Sequence, residues 1–373
     1  MRHRRRFATV TAVVVAALVA AVLGASRAAA GGIGSVTVFA SGLNNPRGLE
    51  WGPDGNLYVA EGGTGGAIST TSTQCTQVKP PIGPYTGGFS ADILRFAPDG
   101  TRSVVAGGLP SDKTAPPRNF ESGVADVAFI GGTMYALEAG AGCSHGHADV
   151  DNSILRVNGN GTVTQVANLS AFQKANPVAS PDEDDFEPDG TWYGMVADHG
   201  DLYAVEPNHG EVDRIDPATG VVSRVVDVSA SYGHIVPTAI AVGTGGLFRG
   251  FALGNLGTFP VVPGSEQLMQ VTPWGSIQTL RTGFTTILGL TFDWFGNLYV
   301  LESMTAAGPP GPGQLGTGTI VRVNIFGQQS TIATGLSFPT GMTLGPDGAL
   351  YVSNLGFAGP GAGQILRIPT SPF

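Results

Sequence analysis

Six carboxylates stand within eight residues at Asp182, Glu183, Asp184, Asp185, Glu187 and Asp189. Such a cluster repels itself, and Ca²⁺, which takes about six to eight oxygen ligands, would relieve that. The run "DFEPDG" at 185–190 begins as a Ca²⁺ loop begins, but the distal glutamate of an EF-hand is missing. The alternative is an acidic loop in water. A second constellation is "CSHGHADVDN" at 143–152, with His145 and His147 two apart and Asp149 and Asp151 after them. Two imidazoles and a carboxylate suit a transition metal; the alternative is a polar surface loop. The two cysteines, Cys75 and Cys143, are too few for a four-cysteine zinc site. In an oxidising compartment they are expected to pair as one disulfide. Nucleophilic catalysis has little support. There is no Gly-x-Ser-x-Gly elbow, and His199, His209 and His234 form no triad by position.

The elements that position these residues must be strands. The chain has 373 residues, 57 of them Gly and 26 Pro, with 42% hydrophobic and 13% charged residues. That much Gly and Pro excludes a helical bundle, and the apolar content excludes disorder. A turn-rich β protein remains. Internal similarity then fixes the plan. "GLNNPRGLEWGPDGNLYVAE" at 42–61 returns as "GLSFPTGMTLGPDGALYVSN" at 335–354 and "GFTTILGLTFDWFGNLYVLE" at 283–302. Weaker copies start at 121, 191 and 236. A short strand such as "ILRFAPDG" at 93–100 or "IVRVNIFG" at 320–327 follows each copy. The period is two, and Asp-Gly, Asn-Gly and Gly-Gly turns join the strands. Four strands in each of six copies predicts an all-β, six-bladed β-propeller. The last copy stops one strand short at "ILRI", and "SVTVFASGL" at 35–43 is an orphan outer strand. The N-terminal strand is therefore expected to close the last blade and remove the bare edge.

Residues 1–30 read as a leader. Arg2, Arg4, Arg5 and Arg6 precede the apolar run Phe7 to Leu23, and Ala28-Ala29-Ala30 suits cleavage before Gly31. The run is long enough that an uncleaved anchor is the alternative. Either way the domain at 31–373 is expected to be exported. Without the leader's five arginines, 14 basic residues face 28 acidic ones. That charge argues against nucleic acid and anionic membranes as partners and allows cationic or metal ligands. The expected partner is a small molecule, glycan or protein, with no membrane unless the leader stays uncleaved, and the chain is expected to be a monomer.

Two rings of positions open on one face of such a propeller. At inner-strand starts the aligned residues are Arg47, Ser122, Tyr193, Pro237, Leu288 and Thr340. At second-strand ends they are Glu61, Glu138, Glu206, Asn255, Glu302 and Asn354. The second ring, with Arg47, is the candidate ligand-binding face. The alternative is that each side chain accepts main-chain N–H groups of nearby turns, which regular recurrence favours. No catalytic residue is assigned.

The repeat unit resembles NHL-type propeller repeats. Over nearly the whole chain beyond the leader it is similar to the ScyD/ScyE family of exported six-bladed propellers. The segments behind that are "WYGMVADHGDLYAVEPNHGEVDRIDP" at 192–217, 237–275 and "TGFTTILGLTFDWFGNLYVLE" at 282–302. The chain departs at "WYG", where "PYG" is usual, and at Glu206, where Asp is usual. The resemblance implies fold and export, not a reaction. Gluconolactonase-type enzymes resemble this fold and hold a divalent metal with Glu, Asn and Asp at the inner-strand starts. NHL-type lyases hold zinc there with histidines. This chain has neither set at those positions. The reading is a binding or accessory scaffold with calcium as its candidate ion. The alternative is a metal-dependent hydrolase or lyase.

Overall fold

The computed structural model describes residues 35–370, apart from 117, 119, 184–185, 246–248 and 309–312. The expected leader lies outside the described residues. The period-two pattern forms six antiparallel sheets. Blade 1 comprises Pro46–Trp51, Leu57–Glu61, Thr86–Phe96 and Arg102–Lys113. Blade 2 follows with Val124–Ile130, Thr133–Glu138, Ser153–Val157 and Val163–Asn168. Blade 3 takes Met195–Asp198, Asp201–Glu206, Glu211–Asp216 and Val221–Asp227. Blade 4 takes Pro237–Val242, Phe251–Asn255, Glu266–Val271 and Ile277–Phe284. Blade 5 takes Ile287–Phe292, Leu298–Glu302, Gly318–Val323 and Gln329–Leu336. Blade 6 takes Gly341–Leu344, Ala349–Asn354 and Gly363–Pro369, and its outer strand is Thr37–Leu43. Thr37 pairs with Arg367 and Leu43 with Gly363, so the N-terminal strand does close the ring.

The first strands of neighbouring blades touch all the way round and line a central axis. A lone four-stranded sheet cannot bury both faces; here six apolar clusters each straddle two adjacent blades. The closing cluster joins Leu43, Tyr351 and Ile365 of blade 6 to Leu49, Leu57 and Phe96 of blade 1. Fully burying one such side chain contributes about 1.5–3 kcal/mol, so the interfaces hold the ring.

Antiparallel order creates two faces. Turns joining first to second and third to fourth strands share one, the turn face. Second-to-third loops and the connections between blades share the other, the loop face. Tight turns such as 52–55 and 345–348 need a left-handed residue, supplied by Gly55 (φ 76°) and Gly348 (φ 75°).

Two details differ from the sequence reading. The third and fourth strands of blade 1 are long, and Glu121–Ser122 adds a fifth strand by pairing with Asp112 and Lys113. Ser122 is therefore not an inner-strand start of blade 2. Two short helices, Leu169–Ala175 and Val228–Tyr232, also precede blades 3 and 4, each capped by a side chain, Asn168 and Asp227.

Candidate functional site

Inner strands begin with a recurring irregularity. Pro46 pairs with Glu61 but Leu49 with Val59; Val124 pairs with Glu138 but Asp126 with Leu137. Blades 4 and 5 repeat this at Pro237/Ala239 and Ile287/Gly289. One extra residue thus bulges toward the loop end of the axis. In blades 3 and 6 the N–H groups of Tyr193 and Thr340 bond Val205 and Ser353, the same place in the register. The matching residues are Arg47, Ala125, Tyr193, Thr238, Leu288 and Thr340. This corrects two expected positions: Ala125 replaces Ser122 and Thr238 replaces Pro237.

The loop end of the axis is barred. Tyr193 donates from its phenol to the Thr340 carbonyl at 2.7 Å. The Arg47 guanidinium donates to the carbonyls of Gly356, at 2.7 Å, and Glu121. It also lies 4.6 Å from the Phe357 ring centroid. Burial lowers the Arg47 pKa, partly opposed by Tyr193, Glu121 and Asp112.

Below that bar a channel of about 540 Å³ runs past Leu49, Val127, Met195, Leu288 and Met342 toward Trp294 on the turn face. Its walls mix these apolar side chains with Thr238, Thr291, Thr340 and Thr343, and Glu50 and Asp126 line it too. Asp126 stands one step inside the bulge, where the other blades carry Gly48, Gly194, Ala239, Gly289 and Gly341. Five small residues leave room for one aspartate. A Cβ on Gly48 would lie 1.9 Å from Asp126 Oδ1, so the glycine is what admits the carboxylate. Asp126 Oδ2 accepts the Met195 N–H at 2.9 Å, and Oδ1 accepts the Val127 N–H at 2.9 Å. Burial pushes Asp126 up to about 7, against those two bonds. Burial, and then the Asp126 charge, push Glu50 up to about 8. Sequence reading missed both, because it compared the copies only at the inner-strand starts and the second-strand ends. Comparing them one and three positions further would have found them: Glu50 aligns with Ala128, Val196, Ala241, Thr291 and Thr343.

The expected ligand-binding ring faces inward. Arg47, Glu61, Glu138, Glu206, Asn255, Glu302 and Asn354 are all buried. Glu61 accepts the Asn44 N–H at 2.7 Å, Glu302 that of Thr285 at 2.7 Å, and Asn354 that of Ser337 at 2.9 Å. Glu206 accepts from Thr191 at 2.8 Å and His209 at 2.6 Å. Glu138 accepts from Gly140 at 2.8 Å and Asn255 from Gln267 at 2.9 Å. Each of the six carboxylate and amide side chains thus accepts a main-chain N–H, five from connecting segments and Asn255 from the strand residue Gln267.

The histidine and acidic segments converge under the disulfide. Cys75 and Cys143 are bonded to each other. The short turn Cys143–His145 that follows is not a surface loop: His145 and His147 are buried. His145 Nδ1 meets Asp112 Oδ2 at 2.5 Å, and its Nε2 lies 3.4 Å from Glu187 Oε2. The Tyr85 ring stacks on His145 at 4.6 Å and its hydroxyl donates to Glu187 at 2.6 Å. Burial opposes charge on His145, but the Asp112 and Glu187 carboxylates win and raise its pKa well above the ordinary value. Glu187 is likewise lowered against burial, by His145, Thr191 and Tyr85. Asp189 accepts from Ser144 at 2.6 Å and pairs with Lys174. His147 Nε2 lies 3.2 Å from the Ser111 carbonyl.

The acidic segment is thus split. Glu187 and Asp189 are buried with partners, Asp182 is half-buried, Glu183 is exposed, and Asp184 and Asp185 lie outside the described residues. Among the described residues, no group of three or more His, Cys, Asp or Glu is arranged to hold a metal ion. The residues at the inner-strand starts do not fit a lactonase-type divalent metal either. They offer no carboxylate, and the Arg47 cation stands among them.

No family profile and no curated protein matches the sequence. Solved structures do match in fold. A protein of unknown function from Bacteroides thetaiotaomicron has TM-score 0.55 and 11% identity, over 90% of this chain and 72% of that one. A putative gluconolactonase has TM-score 0.51 and 12% identity, over 90% and 92%. A putative oxidoreductase (glucose dehydrogenase) from Thermus thermophilus has TM-score 0.55 and 18% identity, over 90% and 100%. The chain shares their propeller fold. At such identities the likeness extends to fold alone.

Proposed function

We propose that the protein is an exported propeller scaffold that binds a small organic cation in its axial channel. The observation that carries this is the pair Glu50 and Asp126 in a channel whose other lining residues carry no charged side chain. A cationic head group would relieve the mutual repulsion that helps to raise Glu50. Leu49, Met195, Leu288, Met342 and Trp294 suit a hydrocarbon body beside that head. Export is supported by the leader pattern and by the Cys75–Cys143 disulfide. The finer likeness to the ScyD/ScyE family agrees with that placement.

The test is thermal stability of the full chain with n-butylammonium and 1,4-diaminobutane as probes, against 1-butanol as the uncharged control. The ammonium probes should raise the melting temperature of wild type but not of Glu50→Gln/Asp126→Asn. An equal response of wild type and variant sinks the reading.

A second reading rests on the same carboxyls. Groups titrating near 7 and 8 can serve as general acid and base at neutral pH. The reaction would then be a metal-independent hydrolysis. Turnover of a δ-lactone that survives EDTA and is lost in Asp126→Asn would favour it.

A further inference from the structure

The carboxyls of the axial channel have polar company on one side only. Six inner-strand residues pair with the same place on the second strands and so stand at one level of the axis. Glu50 pairs with Tyr58, Ala128 with Tyr135, Val196 with Tyr203, Ala241 with Ala252, Thr291 with Tyr299 and Thr343 with Tyr351. Around the ring, Glu50, Thr343 and Thr291 belong to the consecutive blades 1, 6 and 5. Blades 2, 3 and 4 supply Ala128, Val196 and Ala241, whose side chains carry no polar atom. Asp126 lies on blade 2, two residues nearer the loop end and on the blade next to that of Glu50. The charge is therefore shared between blades 1 and 2, and hydroxyls continue from it toward blades 6 and 5.

Threonines of the channel wall divide into two kinds. Thr238 donates from its hydroxyl to the Ile287 carbonyl at 2.6 Å, and Thr340 to the Pro46 carbonyl at 2.6 Å. Both are buried and stitch one blade to the next. Thr291 and Thr343 are half-buried and line the channel, and their hydroxyls bond no protein group among the described residues. The fold makes no use of these two hydroxyls. Nor does a cation of the protein compete for the carboxyls. The channel is lined by no Lys, Arg or His, and Arg47 is held at the loop end by the Gly356 and Glu121 carbonyls.

A threonine hydroxyl both donates and accepts. A ligand that covers it with hydrocarbon strips its water and returns nothing, whereas a ligand hydroxyl replaces that water with a direct bond. Position then sets the spacing within the ligand. Thr343 is on the blade next to that of Glu50, so the hydroxyl has to stand close to the cationic nitrogen. Val196 and Ala241, across the axis, take the carbon side. Because the two threonines are half-buried, the discrimination is severalfold, short of the orders of magnitude that an enclosed polar site reaches.

Building on the cation reading of this channel, we propose that its ligand is a vicinal amino alcohol, with the ammonium against Glu50 and Asp126 and the neighbouring hydroxyl on Thr343 and Thr291. The experiment measures dissociation constants of the full chain by calorimetry for n-butylammonium, for each enantiomer of 1-amino-2-butanol and for 4-amino-1-butanol. The second compound adds one hydroxyl beside the ammonium, and the third carries it at the far end. One enantiomer of 1-amino-2-butanol should bind about threefold or more tighter than either of the other two amines. In Thr291→Val/Thr343→Val that ratio should fall to about one, and in Thr291→Ser/Thr343→Ser, which keeps both hydroxyls, it should persist. Wild type that binds n-butylammonium but favours no amino alcohol overturns this inference and leaves the cation reading standing. A preference that survives the valine substitutions also overturns it, by placing the hydroxyl elsewhere. Wild type that binds none of the amines removes both.

Discussion

The Tyr193 hydroxyl donates at 2.7 Å to the carbonyl of Thr340, and the two residues belong to blades that face each other across the ring. This bond ties sheets that share no strand pairing. Thr340 in turn donates from its own hydroxyl to the Pro46 carbonyl at 2.6 Å, so blades 3, 6 and 1 meet at the loop end of the axis. Burial raises the Tyr193 pKa, so the phenol stays protonated and remains a donor through the alkaline range. Tyr193→Phe keeps the ring and removes one bond. It should lower stability by about 1 kcal/mol, the usual net worth of such a bond, read as an earlier guanidinium midpoint. An unchanged midpoint would mean the bar is not held in solution.

The channel carboxyls set a pH dependence whose sign is fixed. Glu50 and Asp126 titrate at about 8 and about 7 when folded, against roughly 4 in the unfolded chain. The native state therefore binds their protons more tightly. Their contribution is full below the unfolded values and is lost as pH rises through 7 and 8. Glu50→Gln should match wild type near pH 4 and exceed it near pH 9 by about 2 kcal/mol or more. Urea midpoints at both pH values check this. Parallel behaviour of the two proteins would show that the pair ionises freely.

Fold and site were unequally legible in the sequence. The repeats announce themselves because every blade must solve the same packing problem, so Leu57, Tyr58 and Val59 recur as Leu298, Tyr299 and Val300 and as Leu350, Tyr351 and Val352. The orphan strand at the N-terminus follows from counting strands. Glu50 and Asp126 escaped because they are exceptions to the repeat, and a one-residue bulge displaces the register in which exceptions show. The burial of His145 was illegible for another reason. Its partners, Asp112 and Glu187, lie 33 residues before it and 42 after it, and only ring packing joins three consecutive blades.

His145 is the pivot of that junction. Replacing it by Ala leaves Asp112 and Glu187 buried without their cation, a situation that costs about 3–5 kcal/mol. Because its folded pKa is raised, the histidine contributes most at low pH, and the contribution falls as pH rises through that raised value. Asp112→Asn should therefore cost distinctly less in the His145→Ala background than in wild type. A double-mutant cycle should give a coupling of at least about 1 kcal/mol. Additive effects would mean that the imidazole is not paired with Asp112 in solution.

The Cys75–Cys143 disulfide joins residues 68 apart and ends in the turn that carries His145. Two roles can be separated. As a constraint on the unfolded chain, a bond closing so long a loop contributes about 2–4 kcal/mol. As a clamp on the folded turn, it would add to the hold that Asp112 and Glu187 have on the imidazole. Cys75→Ser/Cys143→Ser should lose the first contribution whatever residue stands at 145. If the clamp matters, the loss should be larger in wild type than in the His145→Ala background, since in the latter no buried pair remains to be disturbed. Melting of the four proteins with and without reductant tests both roles. Equal losses at position 145 would confine the disulfide to the unfolded state. Insensitivity of the wild type to reductant that does cleave the bond would remove both.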